Sequence, residues 1–198
     1  HRHCGKVFLY GIDFYYVLGE MPWEHISGLI VDLRYNPGGL VSTVEAMTGY
    51  FLPPKADIFW REDADGRQKI SRNVFQKVCY SDVDICLQPN LVPKDLPVVV
   101  IINNNSFSAA ELMAGALQDH KRATLIGERS GGKGTVNQYF TLRKGEYGMF
   151  YLAIEIWRTP NGRLIEPLHE TKDGGLVPDI VIEQPLKGFS PDNDENIF

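Results

Sequence analysis

Residue types that could carry covalent chemistry cluster in one stretch, Leu96 to Gln118, which reads LPVVVIINNNSFSAAELMAGALQ. An apolar, β-branched run ends in three asparagines and a Ser-Phe-Ser turn, and an amphipathic helix follows at once. This pattern predicts that Ser108 lies at the carboxyl end of a strand, beside the first free amides of a helix. A hydroxyl there can act as a nucleophile, and the amides can bind an oxyanion.

An ordinary structural role also explains Ser108. Ser108 and Glu111 form a Ser-x-x-Glu pattern, which is typical of a capping box: the serine caps the helix and the glutamate bonds back to the serine amide. The residues alone favour this structural role. A catalytic role requires, in addition, a base for the Ser108 hydroxyl.

Histidine is the usual base for a serine, and three histidines away from the start of the chain are candidates: His25, His120 and His169. His120 follows Asp119 at the far end of the predicted helix, roughly 18 Å from Ser108 at about 1.5 Å rise per residue. That distance excludes a hydrogen bond, and the helix dipole explains a histidine at a C-terminus. His25 and His169 lie in loop-like segments without an identifiable partner.

Lys133 is better placed to act as the base. It lies in SGGKG, directly after the strand that follows the Ser108 helix, and parallel strands would return this loop to the edge where Ser108 lies. A lysine base has to lose its proton near neutral pH, which requires a desolvated pocket, and the glycines allow close packing. The alternative is an ordinary solvated loop lysine.

A phosphate-binding loop is excluded for the same segment. Gly127, Gly132 and Lys133 match most of a P-loop, but that motif needs Ser or Thr after the lysine and then a helix. Here Gly134 follows, and the next residues have the pattern of a strand.

The elements that position these residues repeat a strand–turn–helix unit. A near-continuous apolar run, Ile26 to Arg34, predicts a buried parallel strand; it leads through YNPGG into a helix from Val41 to Phe51. The unit recurs at Leu96 to Gln118, so we expect a parallel sheet whose functional loops gather at one edge. Further predicted elements are a strand at Lys6 to Tyr10, a short helix within Ile12 to Glu20, antiparallel hairpins in Ala56 to Leu87, strands at Ala123 to Gly127, Thr135 to Leu142, Gly148 to Arg158 and Leu176 to Glu183, and a TPNGR turn.

Composition limits the function classes. The 198 residues, 43% hydrophobic and 23% charged, predict one globular domain over residues 1–198 with a polar tail at 184–198. The net charge of −5 and the lack of a basic cluster argue against nucleic acid as a partner. No apolar run approaches the roughly 20 residues that a bilayer requires.

The start of the chain and its cysteines leave two questions open. HRHCGKVFLY reaches strand-like residues without an initiator Met, which indicates an excised segment; His1 and His3 are better explained as boundary residues than as metal ligands. Three cysteines fit no zinc spacing. Cys79 and Cys86 flank a predicted hairpin, so they form either a disulfide in an oxidising compartment or two unpaired thiols.

Four motifs together carry a family resemblance: DLRYNPGG, NNNSFSAAELMAGALQDHKRATLIGERSGGKGTVNQ, RTPNGR and GLVPDI. They resemble the C-terminal processing peptidases, also called tail-specific proteases, from about Gly5 to Glu183. The resemblance implies an α/β fold with a crotonase-like ββα core, in which a mixed, largely parallel sheet is joined by antiparallel hairpins. It also implies a Ser/Lys dyad serine endopeptidase that acts on proteins or peptides without metal, nucleotide or other cofactor.

The resemblance assigns roles to individual residues. Ser108 corresponds to the nucleophile, Lys133 to the general base and Glu111 to an acidic residue that supports the site. The oxyanion hole corresponds to the amide of Ala109 and a glycine amide of the Gly38-Gly39 pair. Where relatives often carry Gln four positions after the lysine, this chain has Asn137, followed by Gln138, so two residues compete to orient Lys133.

Other departures concern the surroundings of the site. The crossover between the first two predicted strands is shorter than is usual in the family, and these residues contain no PDZ-like segment. The resemblance suggests an extracytoplasmic location, periplasmic or secreted, in which a Cys79–Cys86 disulfide would be more credible. The natural substrate and the oligomeric state are not predicted by the sequence.

Two alternatives to an active peptidase follow from the same residues. One is a non-catalytic member of the fold that binds an apolar ligand or peptide through aromatic side chains such as Phe107, Phe140, Tyr151 and Trp157. The other is a folded but latent core. A Lys133 Nζ within hydrogen-bond reach of Ser108 Oγ would favour catalysis, whereas a lysine turned to solvent would favour a binder or an inactive conformation.

Overall fold

The computed structural model describes residues 14–73, 78–80, 85–87, 91–142, 148–166 and 174–182, with backbone alone for 78–80 and 85–87. Residues 14–19 are helical, and Trp23–His25 form a 3-10 turn. The remaining elements are β1 (Leu29–Asp32), α1 (Val41–Gly49), β2 (Asp57–Asp63), β3 (Gln68–Arg72), β4 (Val78–Tyr80), β5 (Ile85–Leu87), β6 (Val98–Ile102), α2 (Ala109–Asp119), β7 (Thr124–Gly127), β8 (Thr135–Thr141), β9 (Met149–Arg158) and β10 (Ile180–Val181).

A four-stranded parallel sheet has the strand order β1-β6-β7-β10. Leu29 lies opposite Val98, and Val99 lies opposite Thr124, so β1, β6 and β7 run side by side in one direction. Their carboxyl ends therefore meet at one edge of the sheet, together with the loops that follow them. The predicted gathering of the functional loops is confirmed.

The expectation that the first of these strands is buried is wrong. Only Leu29–Asp32 of the predicted run form β1, which lies at an edge of the parallel sheet. Side chains alternate along it: Leu29 and Val31 are half-buried, whereas Ile30 is 67% exposed. An apolar run cannot show by itself how many of its faces are covered. The predicted strand at Lys6 to Tyr10 lies outside the described residues.

The second sheet is antiparallel, with the order β3-β2-β9-β8. The hairpins predicted within Ala56 to Leu87 are confirmed as the β2–β3 pair and the separate β4–β5 pair, in which Cys79 lies opposite Cys86. Strands β8 and β9, each predicted as a strand, also pair antiparallel. The predicted TPNGR turn is also present, since Thr159 N–H donates to Arg163 O at 3.0 Å and Gly162 has φ +80°. The expected α/β class, a parallel sheet joined by antiparallel hairpins, is confirmed.

Helix α2 forms the centre of the core. Its first nine residues, Ala109 to Leu117, are all buried, and the helix packs against α1, β2 of the antiparallel sheet and β7 of the parallel sheet. A helix that is buried on every side needs small side chains, which the sequence AAELMAGAL supplies. Of the helices in the described part of the chain, none combines the length and apolarity that a membrane crossing requires.

Arg122, just after α2, joins three segments of this core. Its guanidinium donates to the carbonyl oxygens of Phe51 at 3.2 Å, Leu96 at 3.0 Å and Pro93 at 2.9 Å. Partial burial lowers the pKa of Arg122 from its ordinary value, but an arginine remains charged at neutral pH. The side chain therefore satisfies carbonyls at the end of α1 and before β6 with charge-assisted hydrogen bonds.

We predict that Arg122→Ala lowers the free energy of unfolding by about 2–4 kcal/mol, because three carbonyl oxygens lose a charged donor. Urea unfolding followed by circular dichroism measures the change. Arg67→Ala serves as the control, since this side chain is 76% exposed and pairs with Asp65 at the surface. The control should change stability by less than about 0.5 kcal/mol, and an equal loss in both variants would contradict the prediction.

Candidate active site

Ser108 lies at the turn between β6 and α2, at the carboxyl edge of the parallel sheet. The capping-box pairing with Glu111 is present, and Ser108 N–H donates to Glu111 Oε2 at 2.8 Å. The backbone of Ser108, however, has φ +55° and ψ −118°, whereas an ordinary N-cap has extended backbone. Such a conformation costs a non-glycine residue roughly 1–3 kcal/mol and is common at functional sites.

Glu111 connects this turn to the loop that contains Lys133. Its side chain is fully buried, and besides Ser108 N–H it accepts three hydrogen bonds. Ser130 Oγ donates to Oε1 at 2.5 Å, Gly132 N–H to Oε1 at 2.7 Å and Lys133 N–H to Oε2 at 2.9 Å. The backbone amides of Ser108 and Lys133 therefore bind the same carboxylate oxygen.

A second buried group connects the loop after β1 to the Ser-Phe-Ser turn. Ser106 is fully buried; its Oγ donates to Leu33 O at 2.7 Å and accepts from Asn103 N–H at 3.0 Å. Phe107 N–H donates to Asn36 O at 2.9 Å. Sequence reasoning did not assign Ser106 or Asn103 a role, although the three consecutive asparagines before the serines indicate a turn with side-chain hydrogen bonds.

Of the glycines predicted to contribute to an oxyanion hole, Gly38 lies against the turn of Ser108 and Ala109. Gly38 has φ +95°, and a Cβ at this position would lie 2.7 Å from Ser108 Cβ and 2.8 Å from Ala109 N, so only glycine fits. Gly38 N–H donates to Asn36 Oδ1 at 2.9 Å. Within the described residues, the amides of Ala109 and Gly39 bind no acceptor.

The backbone of the Lys133 loop is held on both sides. Lys133 O accepts from the indole Nε1 of Trp157 at 3.0 Å, and Gly134 N–H donates to Glu166 Oε2 at 2.5 Å. Close packing of this loop is confirmed at Gly131, where an added Cβ would lie 1.9 Å from the Phe107 ring. A side chain at Gly131 would displace the ring next to Ser108.

The side chains of the predicted dyad are not joined in this structure. Ser108 and Lys133 are both half-buried, and no hydrogen bond links Lys133 Nζ to Ser108 Oγ in the described part of the chain. The two residues that compete to orient Lys133 differ in burial. Asn137 Oδ1 is buried and has no hydrogen-bond partner among the described groups, whereas Gln138 is exposed.

One charged pair lies near this edge of the sheet. Arg34 Nη2 donates to Asp32 Oδ2 at 2.6 Å, and Arg34 Nε and N–H each donate to Asp32 Oδ1 at 3.0 Å. Burial acts to raise the pKa of the Asp32 carboxyl, but the Arg34 hydrogen bonds and charge outweigh burial, and the pKa is lowered. The pair therefore stays ionised and adds no net charge to this edge.

Neither histidine within the described residues, His25 or His120, is placed to act on Ser108. His120 lies at the other end of α2, where its Nε2 is 2.7 Å from Asp57 O, and the neighbouring Asp119 binds Arg163 in the TPNGR turn. His25 is exposed beside Glu24, and His169 lies outside the described residues. The elimination of His120 as a base by distance is confirmed.

Comparisons with known proteins agree on one family. The model of peptidase family S41 matches residues 10–182. A carboxy-terminal-processing protease of Bartonella bacilliformis is 36% identical over 170 residues, covering 86% of this chain and 34% of the relative. The carboxy-terminal processing protease CtpB of Bacillus subtilis is 34% identical over 173 residues, covering 87% of this chain and 31% of the relative.

Solved structures show the same fold. A photosystem II D1 C-terminal processing protease superimposes with a TM-score of 0.68 at 25% identity, covering 87% of this chain and 39% of that protein. The structure of mature CPAF superimposes with a TM-score of 0.60 at 18% identity. This chain spans about a third of the length of the curated relatives that it matches.

We predict that Glu111→Gln lowers the free energy of unfolding by about 2–4 kcal/mol, because an amide NH₂ would face buried N–H donors in place of an acceptor. Urea unfolding measures the change. Glu24→Gln is the control, because the Glu24 side chain is 72% exposed. Equal stability of the two variants would show that the four hydrogen bonds of Glu111 do not hold the loops together.

Proposed function

Because this chain belongs to peptidase family S41, we propose that it hydrolyses peptide bonds in protein substrates, with Ser108 as nucleophile and Lys133 as general base. One observation carries the proposal: Ser108 N–H and Lys133 N–H both donate to Glu111 Oε2, at 2.8 and 2.9 Å. The two backbones lie within two hydrogen-bond lengths of each other. A nucleophile and its base need this proximity.

In the proposed mechanism, Lys133 Nζ takes the proton of Ser108 Oγ while that oxygen attacks the scissile carbonyl carbon. The amides of Ala109 and Gly39 donate to the oxyanion, and Gly38 packs against the nucleophile's turn. Lys133 then gives the proton to the leaving amine as the peptide C–N bond breaks. Water, activated by the same lysine, hydrolyses the ester on Ser108 and restores both side chains.

Side-chain rotation completes the dyad in this proposal. The backbones of Ser108 and Lys133 are fixed by Glu111, while both side chains are half-buried and can still change rotamer. Hydrogen bonds between catalytic groups are often long or absent before substrate binds.

Asn137 is the residue that we propose positions Lys133. Its Oδ1 is a buried acceptor that binds no group in the described part of the chain, and it lies four residues after the lysine. A buried acceptor without a donor costs about 1–3 kcal/mol, which an ammonium or amine donor would recover. Gln138, the other candidate, is exposed and needs no such donor.

The substrates and the location of the protein are inferred from its relatives. Proteins named carboxy-terminal-processing proteases occur in Bartonella bacilliformis and in Synechocystis, and one from Arabidopsis thaliana is named chloroplastic. We propose that this protein also cleaves polypeptide substrates and acts outside the cytoplasm. In an oxidising compartment, Cys79 and Cys86, opposite each other in the β4–β5 hairpin, would form a disulfide.

We predict that Ser108→Ala and Lys133→Ala each lower kcat/KM for an unfolded protein substrate by about 10³-fold or more, because nucleophile and base act as one unit. Gel-based cleavage assays measure the loss, and circular dichroism checks the fold. Lys69→Ala, an exposed lysine on β3, is the control and should retain full turnover. Undiminished cleavage by either dyad variant would refute the dyad, whereas peptide binding without cleavage by the unsubstituted protein would favour a non-catalytic peptide binder.

We predict that Asn137→Ala lowers kcat by about 10-fold or more with little change in KM, because it positions the base without binding substrate. Asn137→Gln should recover part of the loss by restoring the amide oxygen. Gln138→Ala, the neighbouring exposed position, should change kcat less than twofold. A larger loss in Gln138→Ala than in Asn137→Ala would assign the positioning role to Gln138 instead.

A further inference from the structure

The strand that follows Lys133 has a free edge. In the order β3-β2-β9-β8, strand β8 pairs with β9 on one side, and no described strand pairs with its other side. It begins at Thr135, two residues after Lys133, and runs to Thr141. At about 3.3 Å per residue its edge extends roughly 20 Å from the catalytic loop, enough to pair with about six residues of an extended chain.

The hydrogen bonds of β8 show which of its residues face this edge. Trp157 N–H donates to Gly134 O at 2.8 Å, and Leu142 N–H donates to Gly148 O at 3.1 Å. The backbone N–H and C=O groups of the even-numbered residues of β8 therefore face β9. The irregularity between Val136 and Asn137 adds an extra residue to β9 and leaves the alternation in β8 unbroken. The backbone groups of four residues therefore point outward: Thr135, Asn137, Tyr139 and Thr141.

The side chains around this edge carry no charge, and the large exposed ones are aromatic or aliphatic. Residues 135–142 and 148–154 contain no Lys, Arg, Asp or Glu, and the β8–β9 hairpin exposes large side chains. Tyr139 is 66% exposed, Met149 68% and Tyr151 49%, and the rings of Tyr139 and Tyr151 lie 4.5 Å apart. The other edge of the same sheet, β3, reads QKISR and carries charges that discourage strand pairing.

An unpaired, uncharged strand edge that starts at the Lys133 loop and lies in a hairpin with exposed aromatic side chains is suited to pair with an extended polypeptide. We propose that an uncharged, apolar segment of an unfolded substrate adds to the free edge of β8 as a fifth strand. Main-chain hydrogen bonds would hold the segment, and the exposed aromatic side chains of the hairpin would cover its apolar side chains. The inference rests on the proposed function, because the strand would lead the scissile bond to Ser108 and Lys133.

Peptide binding to the full-length protein with Ser108→Ala tests this proposal without requiring turnover. The probe is a fluorescein-labelled, uncharged, apolar peptide of ten residues with an amidated C-terminus, and fluorescence anisotropy measures its affinity. Each residue of the peptide is N-methylated in turn. The methyl group removes one backbone donor and prevents strand pairing on the side that this amide faces. We expect Kd to rise at least tenfold at every second residue, while the intervening residues change it less than twofold.

Two proline variants locate the strand that the peptide joins. In Tyr139→Pro, one outward N–H of β8 is lost, and we expect the affinity to fall at least tenfold and the alternation to disappear. Gln68→Pro, on β3 at the opposite edge of the sheet, is the matched control. Asp63 N–H donates to Arg67 O, so the backbone of Arg67 faces β2 and that of the next residue, Gln68, faces outward. It should bind the peptide with unchanged affinity and alternation.

The results separate this inference from the proposed function. An absence of binding, an N-methyl profile without a two-residue period, or an alternation that survives in Tyr139→Pro would each overturn β8 as the docking strand. Edge pairing between two copies, seen as a dimer by sedimentation that peptide does not dissociate, would also overturn it. Alternating binding without cleavage by the protein that retains Ser108 would refute the peptidase proposal and leave the docking strand intact.

Discussion

The buried carboxylate of Glu111 is the interaction on which the arrangement of the site depends. Within the described residues, its oxygens accept from three backbone amides and one hydroxyl, and no ammonium or guanidinium pairs with it. A carboxylate without exposure to water is tolerated only when such donors replace its hydration. Moving either loop away would leave lone pairs unsatisfied in the core, so the fold energetically couples the Ser108 turn to the Lys133 loop.

This coupling explains why the site is fixed in its backbone and adjustable in its side chains. Helix α2 presents its N-terminus, with unsatisfied amides and a positive dipole end, at the edge where β1, β6 and β7 all finish. Ser106 and Gly38 bring the loop after β1 against that N-terminus. The backbone positions that the proposed mechanism uses for attack and oxyanion binding are therefore set by buried hydrogen bonds, and the proposal requires only the Ser108 and Lys133 side chains to align.

The antiparallel sheet contributes to the site through Lys133. Trp157 is nearly fully buried in β9 and donates its indole N–H to Lys133 O, so the Lys133 loop is attached to the second sheet as well as to α2. Because β8 continues directly from this loop, the same attachment sets the direction in which its free edge leaves the site. The two sheets thus differ: the loops of the parallel sheet bring the Ser108 turn and the Lys133 loop together, and the antiparallel sheet extends away from them as a surface.

The sequence by itself determined the order and type of most elements, because strand and helix periodicity and the turn residues act locally. It also excluded His120, since helix rise alone sets its distance from Ser108, and it excluded a P-loop from the residue after Lys133. The tertiary structure decided the exposure of Ile30, the close packing of Gly38 against Ser108, the hydrogen bond of Ser106 to the loop after β1, and the different burial of Asn137 and Gln138. Each of these depends on contacts between segments distant in the chain, which local patterns do not specify. The capping box at Ser108 and Glu111 illustrates the difference. Its spacing is visible in the sequence, but only the fold brings the backbone amide of Lys133 to the same carboxylate.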